Sequence, residues 1–512
     1  MRAITGLRRL AGRSAGLRVN LVANYVGQGW TAIANIAFIP AYIHYLGVQA
    51  YGLIGVFAII LSTASLLDGG LTPTLNRELA TFSAGGHTVQ YVRNLLRTIN
   101  LICAAGFVLV TLAGLAAAPA LAAHWIGDRS LPPGTVVQSL FLMILMAALR
   151  IVEGVQRSAL LGLHRHVLLN LLSMITVTLR AGGVIAPLAL VSATPQMFFC
   201  WQATISAVSV AAFAVAVRKS IPSSERRPRF DPAIVRTLRH FAGGVLGATA
   251  LAVVLTQADK ILLVKLVPLD QFSAYALATA IASGLYQVVS PVSQSYYPVF
   301  TSRMASGQNQ LAMSYHQGSQ IVSATVGPPA AILSFFSGPV LTLWTGNPPL
   351  AAMASPILSL LALGTACHCA MYMPYMLQLS AGWSGLAMRM NIAAVLIVFP
   401  ALLIVVPRAG MIGAAVIWLV LNAGALVTTI RIMHRRLLIG EMRRWYVQDL
   451  LIPFGVAFGV AALCRFLYPD TATPAVRLLA LGASCVVTLI AGILTVSFLR
   501  ERISSLVKRC LA

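Results

Sequence analysis

Apolar runs of about twenty residues recur along most of the chain, and each is long enough to carry a helix across roughly 30 Å of hydrocarbon. In lipid every backbone N–H and C=O must find a partner within the protein, so runs of this kind fold as helices. About fourteen spans are predicted, from Val19–Ala41 and Gly52–Pro73, through Val137–Leu160, Val167–Val191 and Phe241–Val264, to Val476–Leu499. A hydrophobic content of 58% against 9% charged residues in 512 excludes a soluble enzyme. The fold class expected is an all-α polytopic membrane protein.

Lys and Arg set the expected orientation, because positively charged short loops stay cytoplasmic. With the N-terminus inside, 28 of the 36 basic residues fall in inner segments and five (Arg129, Lys265, Arg408, Arg465, Arg477) in outer ones. Both termini are therefore expected in the cytoplasm. The net charge of +24 is spread over short loops, which fits anionic lipid headgroups and not a nucleic-acid-binding face. The opening Arg2, Arg8, Arg9, Arg13 and Arg18 resemble a signal-peptide n-region, but the apolar stretch that follows is long and carries Asn24, Gln28 and Asn35, so no cleavage is expected. The seven cysteines are scattered, and Cys367-His368-Cys369 fits no common zinc spacing, so no metal or cofactor is expected.

The basic segment Arg218–His240 holds Pro222, Pro228 and Pro232 and reads as a linker. It divides the chain into an N-lobe of six spans (1–217), the cytoplasmic linker (218–240), a C-lobe of six spans (241–433), and two further helices with a basic tail (434–512). The halves look alike: Tyr51 to Gly85 is 34 residues and Phe272 to Gly307 is 35, each opening after a similar loop. Six spans per copy would relate the copies by an axis along the membrane normal. Prolines such as Pro291, Pro298, Pro328, Pro329 and Pro400, and the pairs Gly182-Gly183 and Gly243-Gly244, suggest bending helices.

Three basic residues, Arg150, Arg180 and Lys260, lie well inside predicted spans. A charge at the bilayer centre costs about 2.5–3.5 kcal/mol on insertion scales, so each must face protein, water or an anion. Arg150, Glu153 and Arg157 share one helical face at i, i+3 and i+7. They read either as a structural Arg150–Glu153 pair with Arg157 reaching the headgroups, or as an anion-binding face of net positive sign. Arg180 has no acid within a helical turn and is expected to line an aqueous cavity, the alternative being an acid on another helix such as Asp68 or Asp259. The adjacent Asp259 and Lys260 diverge by about 100° and are expected not to satisfy each other, one facing the central cavity and one a neighbouring helix. Asp68 reads either as a proton site or as the structural partner of an arginine, with Arg77 and Glu78 following at the cytoplasmic end. Asn24, Gln28 and Asn35 form a stripe suited to sugar hydroxyls or to interhelical hydrogen bonds.

The segments Tyr45-Leu-Gly-Val-Gln-Ala-Tyr-Gly-Leu53 and Leu67-Asp-Gly-Gly-Leu-Thr-Pro-Thr-Leu-Asn-Arg-Glu-Leu-Ala80 resemble the first hairpin of the Wzx-type oligosaccharide flippases, within the multidrug/oligosaccharidyl-lipid/polysaccharide (MOP) exporter superfamily. Gln257-Ala-Asp-Lys-Ile-Leu-Leu263, Ser283-Gly-Leu-Tyr286 and Ser290-Pro-Val292 resemble the equivalent part of the second half. The resemblance implies two six-helix lobes about a central cavity, two trailing helices, and alternating-access transport of a polyprenyl-diphosphate-linked oligosaccharide across a bacterial inner membrane. Other polysaccharide-assembly membrane proteins are the implied partners. Val299 in Tyr297-Pro298-Val299-Phe300 stands where the family pattern leads to a basic residue, and Arg303 is the candidate substitute. The expected substrate cavity is thus Arg150, Arg180, Lys260, Asn24 and Gln28. Asp68, Asp259, Glu153, Arg77, Glu78 and Arg303 are the candidates for gating or for coupling to H+ or Na+.

A multidrug cation exporter of the same superfamily should line its cavity with acids, whereas basic residues prevail here. A membrane-embedded glycosyltransferase would need paired carboxylates near the outer surface, where Asp128, Asp270 and Asp470 are isolated. No GxxxxGK segment is present, which argues against direct use of ATP.

Overall fold

A computed structural model describes residues 26–68, 70–126, 131–224, 226–304 and 307–496, without the side chains of 237–245 and 248. The basic N-terminal segment, Asn24, Asp128, Arg129 and the basic C-terminal tail lie outside those residues. Helices make up almost all of what is described, with no strand among those residues.

Among the described residues ten helices are long and apolar enough to cross a membrane, or eleven if one bent pair counts as a span. That is four fewer than the fourteen expected, two of them because Val26–Asp68 and Ser384–His434 each hold two predicted spans parted by a non-helical glycine. The first two predicted spans run together as Val26–Asp68, comprising α1 (26–37), α2 (Ile39–Ala64) and a 3-10 turn Ser65–Asp68. Gly47 breaks α2 at φ 81, a conformation open to a residue without Cβ. Gly410 does the same at φ 55 within the 51-residue α15 (Ser384–His434), which covers two further predicted spans. The seventh predicted span lies in α9 (Pro232–Leu266), which is not among the ten.

The chain divides into two compact units, Met1–Asp270 and Gln271–Ala512. The first unit, after α1 and α2, contains α3 (Leu71–Ser83), α4 (Val89–His124), α5 (Pro133–Gly162), α6 (His166–Ala181), α7 (Ile185–Leu190), α8 (Pro195–Ser220) and α9. Side-chain oxygens start three of its helices: Thr88 accepts from Tyr91 N at α4, Thr194 from Met197 N at α8, and Asp231 from Ala233 N at α9. The predicted fifth span is interrupted at Gly182-Gly183, between α6 and α7. At the centre stands α5, packed on α2, α3, α4, α6 and α8. A core of Leu75, Leu79, Leu95, Ile99, Leu160 and Phe213 joins α3, α4, α5 and α8.

The second unit begins with α10 (Leu269–Arg303), α11 (Gln308–Phe335), α12 (Ser337–Thr345), α13 (Pro348–Ala370) and α14 (Tyr372–Ser380). After α15 come the short α16 (Met442–Arg444), a π-helical turn Trp445–Leu451, α17 (Ile452–Phe466) and α18 (Pro474–Leu494). Its hub is α11, which bends by 79° into α12 and packs on α13, α17 and α18. Trp445 of the π-turn is buried and donates to Ser319 Oγ at 3.1 Å. Beside it His316 of α11 is buried, its Nδ1 on Asp449 and its Nε2 3.0 Å from Glu441, while Gln320 donates to Asp449 at 2.9 Å.

The seat of α3 on α5 depends on Gly162, where a Cβ would sit 2.7 Å from Asn76 O and 2.8 Å from Leu79 Cβ. Gly162→Val is expected to destabilise the protein by about 1–3 kcal/mol through overpacking. A lower melting temperature in detergent checks this, and an unchanged one would contradict the contact.

Candidate functional site

One carboxylate organises the basic residues of the first unit. Glu153 projects from the mid-unit helix α5 and is 1% exposed, and Arg180 of α6 is 3% exposed against it. The Arg180 guanidinium grips both carboxylate oxygens, with Nη2 on Oε2 and Nη1 3.4 Å from Oε1. On α5 itself, one turn to either side, Arg157 approaches Oε1 to 3.6 Å and Arg150 to 4.0 Å. Arg157 also lies over the Phe213 ring, 5.8 Å from its centroid. Gln202 of α8 donates to the Arg180 carbonyl at 3.1 Å and fixes the backbone that carries the guanidinium.

Three guanidiniums on one carboxylate leave a formal excess of two positive charges inside an apolar bundle. Arg150 Nε and Arg180 Nε are buried with no hydrogen-bond partner among the described residues. The Arg150 and Arg157 side chains retain 27% and 38% exposure, so the excess charge is carried on groups that are not fully buried. Such a cluster can attract an anion and cannot neutralise itself.

The expectation of a cavity-lining Arg180 is corrected: it is buried on an acid of another helix, and that acid is Glu153, neither Asp68 nor Asp259. The sequence carried a signal for this, since Glu153 is the only acid between Asp128 and Glu225. A buried arginine in that stretch had one local partner to find. The two alternatives for Arg150, Glu153 and Arg157 also merge, because Glu153 is both a structural anchor and the centre of a net positive face.

Lys260 pairs with Asp259, where the two were expected to point apart, with Nζ 3.2 Å from both carboxylate oxygens, and it also donates to Thr256 O at 2.6 Å. The Cα–Cβ directions diverge, but the four-carbon lysine stem is long enough to fold back. Among the described residues Asp68 has no arginine partner: it accepts from the Thr72 hydroxyl at 2.6 Å and from Thr72 N, tying the turn before α3. Gln28 is exposed on α1, where the adjacent Trp30 holds the helix to α6 through Thr178 Oγ1 at 2.8 Å. Asn24 lies outside the described residues. Arg303, in the second unit, donates to Ser314 Oγ and to Gln310 O, joining the end of α10 to α11.

A second cluster in the first unit surrounds Glu78, which is hydrogen-bonded by Arg77 at 2.8 Å, His87 at 3.0 Å and Tyr91 at 3.2 Å. Burial pushes this carboxyl up, but the hydrogen bonds from Arg77 and Tyr91 and the charges of Arg77 and His87 prevail and hold it below its ordinary value. The sequence singled out Arg77 and Glu78 but not His87. The imidazole cluster at His316 in the second unit was likewise unmarked, its members being separated by up to 133 residues.

No protein-family model matches this chain, and no curated protein matches it. Solved structures do. The lipid II flippase MurJ in its inward-closed conformation aligns with a TM-score of 0.65 at 12% identity, over 95% of this chain and 99% of that one. An inward-facing multidrug resistance MATE family transporter of the MOP superfamily aligns with a TM-score of 0.61 at 12% identity, over 82% and 96%. The MATE multidrug transporter DinF-BH in complex with R6G gives 0.55 at 14%, over 82% and 95%. At these identities the likeness is one of fold: the chain has the all-helical membrane fold shared by these flippase and transporter structures.

Neutralising Glu153 leaves three guanidiniums facing one another, so Glu153→Gln is expected to cost about 3–5 kcal/mol of stability. Arg157→Gln, on a half-exposed partner, should cost under about 1 kcal/mol. Thermal unfolding in detergent separates the two, and equal melting temperatures would remove Glu153 from its central role. Glu78 gives a pH test. Its lowered folded pKa adds stability that is present above the unfolded value of about 4.3 and is lost as pH falls through the folded one. Glu78→Gln should flatten the acid limb of a stability profile taken between neutral and acidic pH.

Proposed function

We propose that this protein is a lipid-linked oligosaccharide flippase of the Wzx type, moving a polyprenyl-diphosphate-linked repeat unit from the cytoplasmic to the periplasmic leaflet of a bacterial inner membrane by alternating access. The observation that carries the reading is the excess positive charge fixed around Glu153 in an apolar bundle. A diphosphate and a hydrated glycan entering hydrocarbon unpaired would face a barrier of tens of kcal/mol. Guanidiniums that are partly buried and only partly neutralised lower that barrier for an anion and raise it for a cation. A multidrug cation cargo fits this charge poorly.

Arg150 and Arg157 are the substrate-facing members of the cluster, since Arg180 is spent on Glu153. A cytoplasm-negative potential assists outward movement of each negative charge by up to about 2.3 kcal/mol per 100 mV. Coupling to H+ or Na+ is a separate part of the proposal, with Asp259 and Asp68 as its carboxylate candidates.

Arg150→Gln and Arg157→Gln are expected to lower glycan export about tenfold or more at normal membrane abundance, each losing roughly 1.5–3 kcal/mol of charge-assisted contact. Arg180→Gln should lower abundance itself, through its effect on Glu153. The measurement is complementation of a strain lacking its flippase, with the accumulated lipid-linked glycan quantified. Full export by both Arg150→Gln and Arg157→Gln would overturn the reading, as would drug export without glycan export.

A further inference from the structure

A second basic site lies in the same unit, around a cavity that Glu153 does not line. The polar stripe Gln90, Asn94 and Thr98 runs along α4 at i, i+4 and i+8 and pins the linker that follows α8. Ser224 Oγ donates to Gln90 Oε1 at 2.9 Å, Arg229 N to Asn94 Oδ1 at 3.0 Å, and Asp231 N to Thr98 Oγ1 at 3.0 Å. Held against α4 in this way, the linker closes one side of a cavity of about 450 Å³ formed with α4, α5 and α8.

Arg93 and Arg97, one turn apart on α4, line this cavity together with Arg218 at the end of α8. None of the described lining residues is acidic. Arg93 is positioned by its own hydrogen bond to Ser224 O at 2.8 Å. Between the arginines lie Asn100 and the buried Gln156, joined by a hydrogen bond of 2.7 Å from Gln156 Nε2 to Asn100 Oδ1. Asn100 accepts through its carbonyl, so its amide group is the donor left for a bound anion. Three guanidiniums from two helices, converging on a concave space with an amide donor, match a multiply charged oxyanion and leave a neutral or cationic ligand without a partner.

We propose that this cavity binds a phosphate group, supplied either by the headgroup of an anionic phospholipid or by a soluble phosphate compound. None of Arg150, Arg157 and Arg180 lines it, so the proposal is independent of the transport reading.

The test uses the full chain purified in detergent, titrated with inorganic pyrophosphate, and in parallel reconstituted in phosphatidylcholine nanodiscs with and without phosphatidylglycerol, the retained lipid being counted by native mass spectrometry. Arg97→Gln/Arg218→Gln is compared with Arg389→Gln/Arg435→Gln, which removes equal charge from exposed positions of the second unit. The pocket variant alone is expected to lose about tenfold or more in affinity for one of the probes. Loss of pyrophosphate binding assigns a soluble phosphate, and loss of retained phosphatidylglycerol assigns a lipid headgroup. Arg97→Lys/Arg218→Lys, which keeps the charge, should retain part of the binding, and the single Arg97→Gln variant serves if the double one does not fold. Wild-type protein that binds neither probe, a pocket variant that binds both like wild type, or an equal loss in the control pair overturns the site.

Discussion

One carboxylate sets the arrangement of the N-terminal unit. Glu153 is dry, so it must be paired, and the residues able to pair with it lie above it, below it and on the facing helix. An isolated carboxylate in this position would carry a large desolvation penalty. Its capture by Arg180 ties α6 to α5, while Arg150 and Arg157 are held close without being neutralised. The same contact thus stabilises the bundle and leaves it positively charged inside.

That charge is useful only in a scaffold that holds its helices firmly. Here α5 touches most of its unit, and close approaches such as Gly162 against Asn76 and Leu79 leave little room for helices to slide. Tyr42 adds a direct tie, its hydroxyl donating to Ala181 O at 2.6 Å beside Arg180. The second unit is built on a different lock, in which the π-turn brings Asp449 and Trp445 onto α11 at His316 and Ser319. A π-turn widens the helix locally and often marks a place where side chains must be re-aimed. Each unit therefore buries ionisable groups, and each does so at the helix through which most of its packing runs.

Much of the fold was legible in the sequence because a lipid environment admits few solutions. Apolar runs must be helices, and capping residues such as Thr88, Thr194 and Asp231 mark where several of them start. The segmentation was legible at two places, where Gly47 and Gly410 leave the helical conformation between neighbouring predicted spans. At the site, the spacing of Arg150, Glu153 and Arg157 fixed their common face. The partner of Arg180 was hidden because it lies 27 residues away on another helix. The Lys260 fold-back onto Asp259 was hidden for the opposite reason: neighbours in sequence usually point apart, and only a long flexible stem defeats that rule.

The amino-acid sequence by itself determined that this chain is helical, embedded in a membrane and positively charged at positions where charge is costly, because composition and helical periodicity are local properties. The tertiary structure decided which of those charges are satisfied. It placed Arg180 on Glu153, Asp68 on Thr72 and the linker on α4, and so separated the cation buried on an acid from those left partly exposed. The physical reason is that desolvation and pairing depend on which helices lie side by side, a distance of a few ångströms that no spacing along the chain encodes.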